Sequence, residues 1–130
     1  MNIEQTLQEL DRLFAEHQIQ QVEVFLENSI HEALLTKDEG SAVTLMNEII
    51  GYYRDLGKYD KGNPYCGRVL ELIEAMDMKD SLPYATTLLN IANFYRASGS
   101  LEKSLDFYKN VFDLYEGRVL PEDMLYASLY

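Results

Sequence analysis

The chain has 130 residues, 47% of them apolar and 25% charged, which is the composition of one ordinary globular domain rather than of a disordered segment. Its formal net charge of −11, from 22 acidic and 11 basic residues, makes nucleic acid and anionic membrane poor partners, because both need clustered Lys and Arg. A lone cysteine, Cys66, excludes an intrachain disulfide and suits a reducing, cytoplasmic setting. The longest uncharged run, from Ser81 to Tyr95, is too short to span a bilayer, and no basic leader precedes it.

Residues 1–36 carry two helical stripes, Ile3, Leu7, Leu10 and Phe14 and then Val22, Leu26, Ile30 and Leu34. This is the first predicted helix pair, and most of the net negative charge lies in it. Both histidines, His17 and His31, fall here. Glu27 and His31 stand four apart, a spacing that fits an exposed helical pair better than a metal site, and no metal or other cofactor is expected.

Residues 37–78 and 79–120 are copies of one unit. Shifted by 42 residues they share eleven identities, among them Thr44/Thr86, Ile49/Ile91, Tyr53/Tyr95, Arg54/Arg96, Gly57/Gly99 and Val69/Val111. In each copy a first helix is predicted from the stripe Ala42, Met46, Ile49, Ile50, Tyr53, answered by Tyr84, Leu88, Ile91, Ala92, Tyr95. Gly57 and Gly99 supply the left-handed residue that ends it. The second helix of the later copy follows from Leu101, Leu105, Tyr108, Val111, Phe112 and Tyr115, with Ser100 as N-cap and Gly117 as stop. In the earlier copy Asn63-Pro64 predicts a helix that starts late, near Pro64, or bends there. Residues 1–36 share the 42-residue pitch but few identities, as a terminal capping pair would.

Residues 121–130 begin like one more first helix, so the chain is read as stopping inside a further repeat. Met124, Leu125, Tyr126, Leu129 and Tyr130 are too many apolar side chains for one face, and a homodimer through this helix is the expectation.

The run Ile91-Ala92-Asn93-Phe94-Tyr95-Arg96-Ala97-Ser98-Gly99-Ser100-Leu101 resembles the core signature of the tetratricopeptide repeat, and so does Ile49-Ile50-Gly51-Tyr52-Tyr53-Arg54-Asp55-Leu56-Gly57-Lys58-Tyr59. Both keep an aromatic four residues before the glycine and a large apolar residue two after it. The 42-residue spacing resembles the longer subclass typified by kinesin light chain. The small residue where the two helices cross closely is Gly62 in one copy and Ser104 in the other.

The resemblance implies an all-α superhelix of antiparallel helix pairs that acts as a protein- or peptide-binding scaffold, not an enzyme. No nucleophile–base pair or phosphate loop is present to argue otherwise. The alternative is a sensory or oligomerising segment of a larger regulator or enzyme. The resemblance further implies a ligand on the first-helix positions flanking the stripe: Thr44, Asn47 and Arg54, then Thr86, Asn90, Asn93 and Arg96, with Gly51, Asp55, Leu89 and Ala97 beside them. Asparagine amides can pair with a peptide backbone and arginine with a carboxylate. Equally, Arg54 and Arg96 could pair with carboxylates of neighbouring helices. Arg12 precedes Arg54 by 42 residues, but the stripe of its helix is shifted in phase.

Overall fold

The computed structural model describes residues 1–78 and 81–115. Among them are six helices, α1 (Ile3–Ala15), α2 (Ile19–Leu35), α3 (Glu39–Leu56), α4 (Tyr59–Ala75), α5 (Leu82–Ala97) and α6 (Leu101–Tyr115), and no strand. The chain divides into two compact units, Met1–Ile49 and Ile50–Tyr130, at a point in the sequence of α3. The expected stop at Gly117, the further helix from Pro121 and the dimer built on it lie outside the described residues.

One turn is used throughout. Residues 17, 37, 57, 77 and 99 all have positive φ, between 56° and 87°. At each, two hydrogen bonds close the helix in a Schellman motif. After α1 the His17 N–H donates to the Phe14 carbonyl (3.1 Å) and the Gln18 N–H to that of Leu13 (3.0 Å). The same pair recurs from Gly57 to Arg54 (3.2 Å) and from Lys58 to Tyr53 (2.9 Å). These bonds satisfy carbonyls that a helix end leaves open, and they reverse the chain within three residues. Glycine meets the left-handed conformation at 57 and 99, but His17, Lys37 and Asp77 adopt it with a Cβ.

In the first unit the Asn2 side chain caps α1 by accepting the Gln5 N–H at 3.1 Å. Leu10 and Leu13 are the fully buried residues of α1; Phe14, expected on that stripe, is exposed. Val22, Leu26, Ile30 and Ala33 from α2 are buried, as are Ala42, Leu45, Met46 and Ile49 from the first part of α3. Asp38 starts α3, where its carboxylate accepts the Ser41 hydroxyl at 2.8 Å. That bond, joined by the Ser41 backbone N–H, lowers the Asp38 pKa.

Burial corrects the pitch of the first pair. The left-handed residues at 17 and 57, and again at 37 and 77, stand 40 apart, not 42. At that shift the buried Leu10, Leu13, Val22, Leu26, Ser29 and Ala33 match Ile50, Tyr53, Gly62, Cys66, Val69 and Ile73. The 42-residue pitch belongs to the later pairs, because the α4–α5 connection is longer. Residues 57 and 99 do stand 42 apart.

In the second unit α4 packs on α5 and α5 on α6. Leu88, Leu89, Ala92, Tyr108 and Val111 form one buried cluster, with Leu70, Tyr84, Phe107 and Leu114 packed against it. Full burial of a side chain the size of Leu88 or Val111 contributes about 1.5–3 kcal/mol through removal from water. Thr87 stands where the earlier repeat has Leu45, and it is buried without penalty because its hydroxyl donates to the Pro83 carbonyl at 2.8 Å.

The late start expected for α4 is not found: the helix begins at Tyr59, with Pro64 inside it. The turn at Gly57 delivers the chain into helical geometry at once, and the first turn of α4 is held by packing. Tyr59 meets the Phe94 ring edge-on at 5.7 Å, and Asn63 accepts the Tyr95 hydroxyl at 2.8 Å. Pro64 forfeits one helical hydrogen bond near the N-terminus, and these contacts offset the loss.

Candidate functional site

The expected ligand-facing residues separate into groups. On the first-unit part of α3, Thr44 donates its hydroxyl to the Gly40 carbonyl (3.2 Å) and Asn47 its amide to the Val43 carbonyl (3.2 Å). Both donors are thus engaged by their own helix. Thr86 is exposed on α5. Leu89, expected beside it, is buried in the core cluster instead, because α6 covers that side of α5.

The remaining residues come together in the second unit. Arg54, Asp55, Asn93, Arg96 and Ala97 line one open pocket of about 410 Å³. Both arginines lie in the last turn of their helices, α3 and α5, where the negative end of the helix dipole favours a cation. Arg54 is half-buried; its Nε donates to the Asp55 carboxylate at 3.2 Å and its Nη1 reaches the Asn90 side-chain carbonyl at 3.5 Å. Gly51, one turn earlier on α3, leaves the flank of that guanidinium open: a Cβ there would stand 3.7 Å from Nη2.

Asn93 is fixed from behind. The Tyr108 hydroxyl of α6 donates to its Oδ1 at 2.5 Å, which leaves the amide N–H pair as the donors it can offer. Among the described residues two guanidinium groups and one carboxylate line the pocket, and its donors suit a carboxylate or a peptide carbonyl.

Arg12 pairs with Glu9 and Glu16 on its own exposed helix face. Glu27 and His31 are exposed on α2, and among the described residues no three side chains of metal-binding type converge. Cys66 is buried, and burial pushes its thiol pKa up to about 12, so it is held protonated rather than activated. Among the described residues no helix is long and apolar enough to cross a membrane.

The grip of Tyr108 on Asn93 had no signal in the sequence, since it joins residues fifteen positions apart on different helices.

A family model for the tetratricopeptide repeat matches residues 41–117. With its helix hairpins and repeated turns, the chain belongs to the tetratricopeptide-repeat family, whose repeats are in general scaffolds for binding proteins. No curated protein and no solved structure shows significant similarity to it.

Proposed function

We propose that this protein binds a protein or peptide segment and that the pocket of Arg54, Asn93 and Arg96 reads a carboxylate on it. One observation carries the reading: two arginines at equivalent positions of successive repeats line a single open pocket, beside an asparagine whose carbonyl is already taken. A guanidinium offers a planar fork to a carboxylate, and the asparagine amide can donate to a neighbouring peptide carbonyl. Asp55 tempers the positive charge and disfavours ligands with several adjacent anionic groups.

Replacing both arginines by glutamine tests it. Each charge-assisted contact contributes about 1.5–3 kcal/mol if desolvated. The double variant is expected to lose partner proteins in a pull-down from source lysate, or acidic peptides from an array, while its thermal midpoint stays near that of the wild type. An unchanged set of captured proteins, or a large loss of stability, would show that the arginines serve the fold.

A further inference from the structure

Tyr108 belongs to the buried cluster of α5 and α6 and is 6% exposed, yet its hydroxyl ends on a residue that lines the pocket, the Oδ1 of Asn93 at 2.5 Å. A carboxamide carries its acceptor on one side and its two donors on the other. With Oδ1 turned to the phenol, Asn93 keeps only its N–H pair for a ligand. Turning the amide over would make the phenol an acceptor and strand its own hydrogen in the core, which is costly for a buried donor.

The other polar side chains of the pocket act in the same sense. Arg54 and Arg96 can only donate. The side-chain acceptor that remains among the described lining residues is Asp55, which accepts from Arg54 Nε at 3.2 Å and is 72% exposed, so water competes for it. A carboxylate brings acceptors alone and meets donors. A carboxamide of the same shape brings an N–H pair of its own, and the N–H pair of Asn93 opposes it.

The fold does not require the bond. Counting back 42 residues, Asn93 and Tyr108 correspond to Gly51 and Cys66; a further 40 back they correspond to Asp11 and Leu26. Leu26, Cys66 and Tyr108 are all buried, so the core takes an apolar side chain at this position in every copy. The hydroxyl is an addition to that packing. It occurs in the one copy that has an asparagine to receive it, and that asparagine lines the pocket.

We infer that Tyr108 is a positioning residue that makes the pocket select a carboxylate over a carboxamide, by holding the donors of Asn93 toward the ligand. The inference rests on the reading of the pocket as a carboxylate site and adds what that site refuses. A segment presenting aspartate, glutamate or a free C-terminus is accepted, and its asparagine, glutamine or amidated counterpart is turned away.

The probes are N-acetylglycylglycine as the free acid and as its carboxamide, titrated separately into the full 130-residue chain and followed by the N–H signals in NMR. The acid is expected to bind in the millimolar range and to shift signals of Arg54, Asn93 and Arg96, with the carboxamide about tenfold or more weaker. Tyr108→Phe keeps the ring and removes the hydroxyl, so Asn93 can turn over. That variant should bind the carboxamide about threefold or more tighter than the wild type does, with no gain for the acid and a thermal midpoint close to the wild type. A pocket that is merely damaged would gain affinity for neither probe. Asn93→Ala, at a half-buried position outside the core, should by itself lower the ratio of acid to carboxamide affinity. Adding Tyr108→Phe to it should then leave the ratio where it is, because the phenol acts through Asn93. Failure of the acid to bind the wild type overturns the carboxylate reading and this inference together. Acid binding with an unchanged ratio in Tyr108→Phe or in Asn93→Ala overturns the inference alone, and so does an effect of Tyr108→Phe on the ratio that persists without Asn93.

Discussion

Phe94 lies against the backbone of Gly62 so closely that a methyl group placed on the glycine would stand 2.5 Å from Cε2 of the ring. The same methyl would come within 3.1 Å of the Tyr53 Cβ. Gly62 is thus the point where α4 is pressed by α3 on one side and by α5 on the other. Gly62→Ala improves helix propensity by about 1 kcal/mol but forces a buried ring to move, and such overpacking costs about 1–3 kcal/mol. The expected outcome is a net loss of stability. The informative measurement is the double variant: Phe94→Leu should relieve the clash, so that adding Gly62→Ala to it costs less than adding it to the wild type. Equal costs in chemical denaturation would show that the ring is not the obstacle.

The five left-handed turn residues yield an ordered set of effects. A Cβ in that conformation costs about 1–2 kcal/mol, less for Asp than for Lys. Lys37→Gly should therefore stabilise the protein by up to about 1 kcal/mol, and Asp77→Gly by less, after the added flexibility of the unfolded chain is counted. Gly57→Ala and Gly99→Ala should each destabilise. A lower melting midpoint for Lys37→Gly would contradict the assigned turn.

These turns also show how far the sequence could be read. Gly57 and Gly99 announced their conformation by residue type, and the stripes around Ile49 and Ile91 announced buried faces. His17, Lys37 and Asp77 do the same work with no such signal, which hid the 40-residue pitch of the first pair. Pro64 misled in the opposite direction, since a local rule about proline was outweighed by the contacts of Tyr59 and Asn63 with α5. In the site, the repeated arginines were legible as a recurrence. That Thr44 and Asn47 donate to their own helix was not, because the sequence does not say which rotamer a half-buried polar side chain adopts.

Two tyrosines that look equivalent in the repeat should respond differently. Tyr53 is fully buried, in contact with Tyr52 and Tyr65, so Tyr53→Ala should cost about 3–5 kcal/mol. Tyr95 is half-buried, stacked on Phe107 at 5.7 Å with Lys103 over its ring, and truncating it should cost less. Urea midpoints of the two variants decide it, and a reversed order would refute the burial assigned to them.

Cys66 gives the protein a stability that depends on alkaline pH. Its thiol is buried in α4, where loss of hydration lifts its pKa to about 12; the neighbouring Tyr95 hydroxyl only partly opposes this. An unfolded cysteine titrates near ~8.5. Above that pH the unfolded chain gives up the thiol proton while the folded chain keeps it. The unfolded state then binds fewer protons, so stability falls as pH rises, by up to about 1.4 kcal/mol per pH unit until the folded pKa is reached. Burial raises the Tyr95 phenol as well, which adds a loss of the same sign at higher pH. Below about pH 8 neither group contributes a slope. Urea unfolding from about pH 8 to 10.5 should therefore show a steeper decline for the wild type than for Cys66→Ala, although the alanine variant starts lower because it leaves a small cavity. The native thiol should also resist a disulfide exchange reagent until the chain unfolds. Parallel pH profiles for the two proteins, or fast labelling of the folded one, would place Cys66 in contact with water and remove the basis of the effect.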